Sequence, residues 1–236
     1  MLRARQVDGG YPPASAATNE ARAQCLDLLR EAYGLPALQL GASGRVQPQP
    51  TPDFAGLAAL RRQLDQDLGG AMSPGRTRLT AVLALVLDAA PRAGEPVAMR
   101  LSHLAPETTA VYVQRRPQHG TGEADDDWFE LSEIGQAAVD RWLPLRAQLV
   151  ARAHGTSKLW VSLHPNHVGV LDADGQTVLR PPGMPLQEKG LLLSYRAGRA
   201  RYGLTRLLPA KLEAMRRTVL DQSPPVAMDG TLTPAE

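Results

Sequence analysis

The chain has 236 residues, a formal net charge of +2, 43% hydrophobic residues and only 4% aromatic ones. That length and apolar content sustain one sizeable core and exclude wholesale disorder. With so few aromatics the core must be built of Leu, Val and Ala, which suits packed helices better than a sheet sandwich. A single cysteine, Cys25, excludes an intrachain disulfide and points to a reducing, cytoplasmic setting. The first residues hold no apolar signal segment, and the longest apolar stretch, Leu79 to Pro91, contains Asp88 and is too short to span a bilayer. Lys158, Lys189 and Lys211 are the only lysines, so the positive residues are nearly all arginine, the better residue for bidentate phosphate contacts. GC-rich coding produces the same bias.

Residues 1–17 are polar, with paired Gly and paired Pro, and read as a disordered start. Thr18 and Asn19 cap a predicted helix that runs to Tyr33 and stops at Gly34. Residues 36–52, rich in Pro, Gly, Gln and Ser, read as a linker and a domain boundary. Asp53 caps a second helix with Leu57, Leu60, Leu64 and Leu68 on one stripe, ended by Gly69-Gly70. Ser73-Pro74 opens a third, apolar nearly all round, to Ala90. A fourth is expected from Arg92 to His103, with Pro96 in its first turn. Thr109–Arg115 alternates and is β-branched, hence a strand, with Trp128–Leu131 as its antiparallel partner. Ser132 starts a long helix to about Ala153, Lys158–Leu163 reads as a short strand, and 164–185 as a loop with a hairpin turn at Asp172–Gly175. Helices are expected at Leu186–Arg201 and Thr205–Asp221, and 222–236 reads as a disordered tail. The fold class is therefore mainly α with a small antiparallel β-hairpin, an α+β arrangement.

The segment Ala90–Leu104, A-P-R-A-G-E-P-V-A-M-R-L-S-H-L, resembles the first arginine box of the tyrosine recombinases (phage integrases). Arg92, Gly94, Glu95, Met99, Arg100, Ser102 and Leu104 fall in register without a gap. The apolar helix upstream, the strand at Val111–Val113 and the W-F-E-L segment before a Ser-capped helix are similar to the family's next elements. So are K-L-W-V-S-L-H-P-N at 158–166 and L-L-L-S-Y-R-A-G-R-A-R-Y-G-L at 191–204. The resemblance covers about residues 75–220 and implies a catalytic domain at 53–221. The helix at 18–35 resembles a remnant of the family's core-binding domain.

The resemblance implies a tyrosine that attacks the scissile phosphate, two arginines that hold it, a hairpin lysine and a second-box histidine. Arg92 takes the first-box arginine position, the one catalytic candidate, and is read as facing phosphate. The hairpin lysine is replaced by Arg115 and Arg116, poor proton donors because of their high pKa. In the second box, Ala210 and Glu213 stand where His and Arg belong, and no tyrosine follows Tyr202. The chain is thus expected to bind DNA, in recombination or integration, without cutting it alone.

Residues 189–217 carry eight cationic side chains and one acid, Glu213, in a chain whose net charge is only +2. That is an electrostatic footprint for double-stranded DNA. The DNA-binding candidates are Arg92, Arg115, Arg116, Arg196, Arg199, Arg201, Arg206 and Lys211, expected to converge on one cationic surface. No cofactor, metal or membrane partner is expected. His164-x-x-His167 lacks further ligands, and Asp125–Asp127 lacks the spacing of a calcium loop. Two other readings remain open: an active recombinase completed by a partner subunit, and a helical interaction module with no nucleic-acid role.

Overall fold

The computed structural model describes residues 16–36, 52–115, 126–151, 153, 155–222 and 224–228. Most of the expected disordered start, most of the 36–52 linker, the hairpin tip with Arg116, His154 and the last residues of the tail lie outside them. The chain divides into two compact units, Met1–Gln49 and Pro50–Glu236. The described part of the first is one helix, α1 (Ala16–Ala32), with Leu28, Leu29 and Tyr33 exposed. It starts two residues before Thr18, so Thr18 and Asn19 lie inside it and do not cap it.

The second unit is assembled around one buried helix. α2 (Phe54–Leu68) starts as expected, Asp53 accepting from the Gly56 N–H at 2.7 Å, and buries Leu57, Leu60 and Leu64. α3 (Pro74–Ala89) is capped by Ser73, which accepts from the Arg76 N–H, and stops at Ala90 in the left-handed region (φ 44°). Nearly every position of α3 is buried, because α2, α5 (Glu133–Val150), α6 (Glu188–Arg201) and α7 (Leu212–Gln222) all pack on it. Asp88, the one acid of α3, knots three helices. It accepts from Arg61 of α2 at 3.1 Å and from the backbone and hydroxyl of Ser132 at 3.0 and 2.8 Å. Ser132 in turn caps α5 by accepting from Gly135 N–H. Glycine is required at 135, because a Cβ there would collide with the Asp88 carboxylate.

Between α3 and α5 lie α4 (Gly94–Ala98), 3₁₀ turns at Leu101–His103 and Pro106–Thr108, and a ribbon of β1 (Ala110–Val113) with β2 (Asp127–Glu130). The ribbon is antiparallel, with Val111 opposite Phe129. The expected helix from Arg92 to His103 is thus mostly absent. It stops after five residues because Met99 turns extended and the next residue, Arg100, forms a β-bridge to Lys158. The expected strand at Lys158–Leu163 is likewise only two isolated bridges, to Arg100 and Pro185. Side chains of α5 take its carbonyls instead: Trp142 Nε1 donates to Leu159 at 3.0 Å, Arg146 Nε to Lys158 at 2.8 Å. Trp142 and Trp160, both buried, stack with centroids 5.9 Å apart at this junction.

β3 (Asn166–Leu171) and β4 (Thr177–Arg180) form the second hairpin, turning at Asp172–Gly175, and pair with each other only. The last expected helix does not begin at Thr205. A 3₁₀ turn at Leu204–Arg206 is followed by an irregular corner holding Pro209, and α7 starts at Leu212. The chain beyond α7 stays on the fold: Ala227 bridges Phe129, and Met228 N–H donates to the Trp128 carbonyl at 2.8 Å. The expected disordered tail is therefore corrected at 227–228, where backbone donors find the free edge of β2. The fold is mainly α with two small antiparallel sheets, an α+β arrangement. No described helix is long and apolar enough to cross a membrane.

Candidate nucleic-acid interface

The C-terminal end of α3 leaves the carbonyls of Ala89 and Ala90 without helical donors, and arginines supply them. Arg115, at the end of β1, donates to Ala90 O at 3.1 Å and to Ala89 O at 2.9 Å. It also pairs with Glu95 at 3.2 Å and lies over the Phe129 ring at 4.7 Å. Arg216, from α7, donates to the same Ala90 O at 3.0 Å and pairs with Glu213 at 3.0 Å. Glu95 is 2% exposed and reaches back to the Arg92 N–H at 2.7 Å, fixing the chain at the start of α4. Cations at a helix C-terminus are favoured by its dipole, and two acids balance the rest. The Arg92 side chain is half-buried beside this corner. Arg115 is thus engaged inside the protein, with a side-chain exposure of 19%.

The sequence places Arg216 in the basic run without singling it out, yet the structure brings it to the corner of Arg92 and Arg115. Its signal is the spacing from Glu213, one turn before it on α7. Glu213 pairs with Arg216 and lies 3.9 Å from Arg217.

The other cationic candidates follow along α6 and the corner after it. The start of α6 abuts α4, where a Cβ at Gly94 would meet Glu188. Arg199, Arg201 and Arg206 come at or beyond the far end of α6, roughly 17 Å along its axis. Arg199 donates to Leu208 O at 2.7 Å and Thr205 O at 3.1 Å, holding the corner between α6 and α7. Lys189, Arg196, Arg201, Arg206 and Lys211 are exposed, and no Asp or Glu occurs from 189 to 212. The cationic candidates thus differ in engagement: Arg115, Arg199 and Arg216 are bonded inside the fold, while Lys189, Arg196, Arg201, Arg206 and Lys211 are exposed.

Tyr195 and Tyr202 are held by the fold. Tyr195 is buried, donates to Pro209 O at 2.6 Å, and its phenol is pushed above the ordinary tyrosine range by burial. Tyr202 lies beneath the Arg76 guanidinium at 5.3 Å, with its hydroxyl 3.2 Å from that of Ser73. His103 is buried against Tyr112, edge to face at 5.4 Å. Desolvation, then the charges of Arg100 and Lys158, hold its pKa below the ordinary value. Among the described residues no three His, Cys, Asp or Glu side chains come together as a metal site.

No protein-family model matches the chain, and no curated protein matches it. Among solved structures it is similar to a crystal structure of XerA recombinase, with a TM-score of 0.43 and 13% sequence identity. That match covers 87% of this chain and 60% of the other, so the chain spans about three fifths of that protein's length.

Proposed function

We propose that this chain is a duplex-DNA-binding relative of the tyrosine recombinases that does not cleave DNA by itself. The observation that carries the reading is the exposed cationic run, in which Lys189, Arg196, Arg201, Arg206 and Lys211 meet no acid between 189 and 212. Cations so placed neutralise backbone phosphates and release counterions, which gives affinity without base readout. Arg92 is assigned to a phosphate at the margin of the shielded corner, while Arg115 and Arg199 support the surface from within. Cleavage by this stretch is disfavoured because no tyrosine follows Tyr202 in the sequence and the Tyr195 hydroxyl is bonded inside the fold. Further recombinase-like subunits are the partners this reading expects.

The test is duplex binding measured against salt concentration, with Arg196, Arg206 and Lys211 all changed to Gln as the comparison. The parent affinity should fall steeply with salt, and the triple variant should lose about 2 to 3 from the slope of log K against log salt. A nicked duplex should trap no covalent adduct. A parent curve flat with salt, or a variant with the same slope, overturns the reading.

A further inference from the structure

The opposite end of α3 contains a buried arginine, Arg78, that is not part of the exposed cationic run. Arg78, in the second turn of α3, is 8% exposed. Its guanidinium donates to Val161 O at 2.7 Å and to Ser194 Oγ at 2.8 Å, both uncharged acceptors. A guanidinium has five N–H donors, and the others find no acceptor among the described residues. Among the described residues it forms no salt bridge. The N-terminal end of α3 adds positive potential of its own, and Asp67 is already paired with Arg76, two residues before Arg78. Burial lowers the pKa of Arg78 to about 10, which still leaves it charged at neutral pH. A buried cation in such a setting calls for a counter-charge.

A cavity of about 160 Å³ opens beside it, between α3 and α6. Arg78 lies at its floor, and Arg201 and His164, both exposed, line its mouth. Its walls are mainly apolar, from Leu79, Val82, Leu163 and Leu191, and no Asp or Glu lines it. Glycine at 198 lets the two helices close, since a Cβ there would come within 2.7 Å of Leu79 Cδ2. The volume is close to that of a core cavity able to admit benzene.

We propose that this cavity binds a small organic carboxylate, its head paired with Arg78 and its apolar body lying along Leu79, Val82 and Leu191. A carboxylate matches the guanidinium fork, and Arg201 and His164 add donors from the rim. The apolar walls select the carboxylate over inorganic phosphate, which has no surface to bury there.

The experiment is thermal denaturation of the full chain at fixed pH and ionic strength in sodium acetate, butyrate, hexanoate and phosphate, with chloride as baseline. The carboxylates should stabilise it saturably, with affinity rising about threefold to fourfold per added methylene until the cavity is full. Arg78→Met should weaken butyrate binding about tenfold or more. Arg201→Gln and His164→Gln, both at exposed positions and safe for folding, should each weaken it about twofold to fivefold. Equal shifts in every salt, a shift in phosphate but not butyrate, or unchanged binding in both rim variants overturns the proposal.

Discussion

The two ends of α3 both carry arginines, in opposite electrostatic settings. At the C-terminal end, Arg115 and Arg216 meet backbone carbonyls, Glu95 and Glu213, and the helix dipole favours them. At the N-terminal end, Arg76 has Asp67, while Arg78 is buried with only a carbonyl and a hydroxyl and faces the unfavourable end of the dipole. The difference teaches that an arginine's role follows from its acceptors. The corner of Arg115 and Arg216 is satisfied internally, and the opposite end retains a buried arginine without an acidic partner.

The largest way to break this contrast is Glu95→Ala, which removes the buried acid from Arg115 and the Arg92 N–H. We expect a loss of about 3–5 kcal/mol by urea denaturation. A loss below about 1 kcal/mol would show that the corner does not depend on that charge. Arg115→Met should cost about 2–3 kcal/mol, because the Ala89 carbonyl and the buried Glu95 lose their charged donor while Arg216 still serves Ala90 O. Tyr195→Phe should cost about 1 kcal/mol through the bond to Pro209 O, with no effect on DNA binding.

His103 provides a pH test near the bridge of Arg100 and Lys158. Its folded pKa lies below the ordinary 6.5, so the unfolded chain takes up the proton more readily. The stability it contributes is present above pH 6.5 and is lost as the pH falls through the depressed folded value. The urea midpoint should therefore drop on acidification, and His103→Gln should flatten that drop; an unchanged pH profile in the variant refutes this source. The smallest effect is expected for Arg78→Met in chloride alone: a loss of about 1 kcal/mol or less, because the donor lost by the Val161 carbonyl is offset by removal of a buried charge without an acidic partner. A loss as large as that of Arg115→Met would make the two ends of α3 equivalent and erase the comparison.

Much of this architecture is legible in local chemistry. Asp53 and Ser73 cap α2 and α3, Ser132 caps α5, and the alternation around Val111 marks the ribbon, because each signal acts within a few residues. The failures come where distant partners intervene. The helix expected from Arg92 ends early because Arg100 pairs with Lys158, and the segment expected as a strand at 158–163 pairs in short stretches with Met99 and with 183–186 while Trp142 and Arg146 take two of its carbonyls. Arg115 is visible as a cation near the right segment, but its three internal acceptors come from α3 and α4.

The sequence by itself determined the helical core, the starts of α2, α3 and α5 and the basic run from Lys189, since burial pattern, capping and net charge are local properties of the chain. Only the tertiary structure decided which arginines are engaged and which are exposed. That choice rests on whether carbonyls and carboxylates from other elements come within hydrogen-bond reach. Arg216 joins Ala90 across 126 positions of chain, and Arg78 joins Val161 across 83.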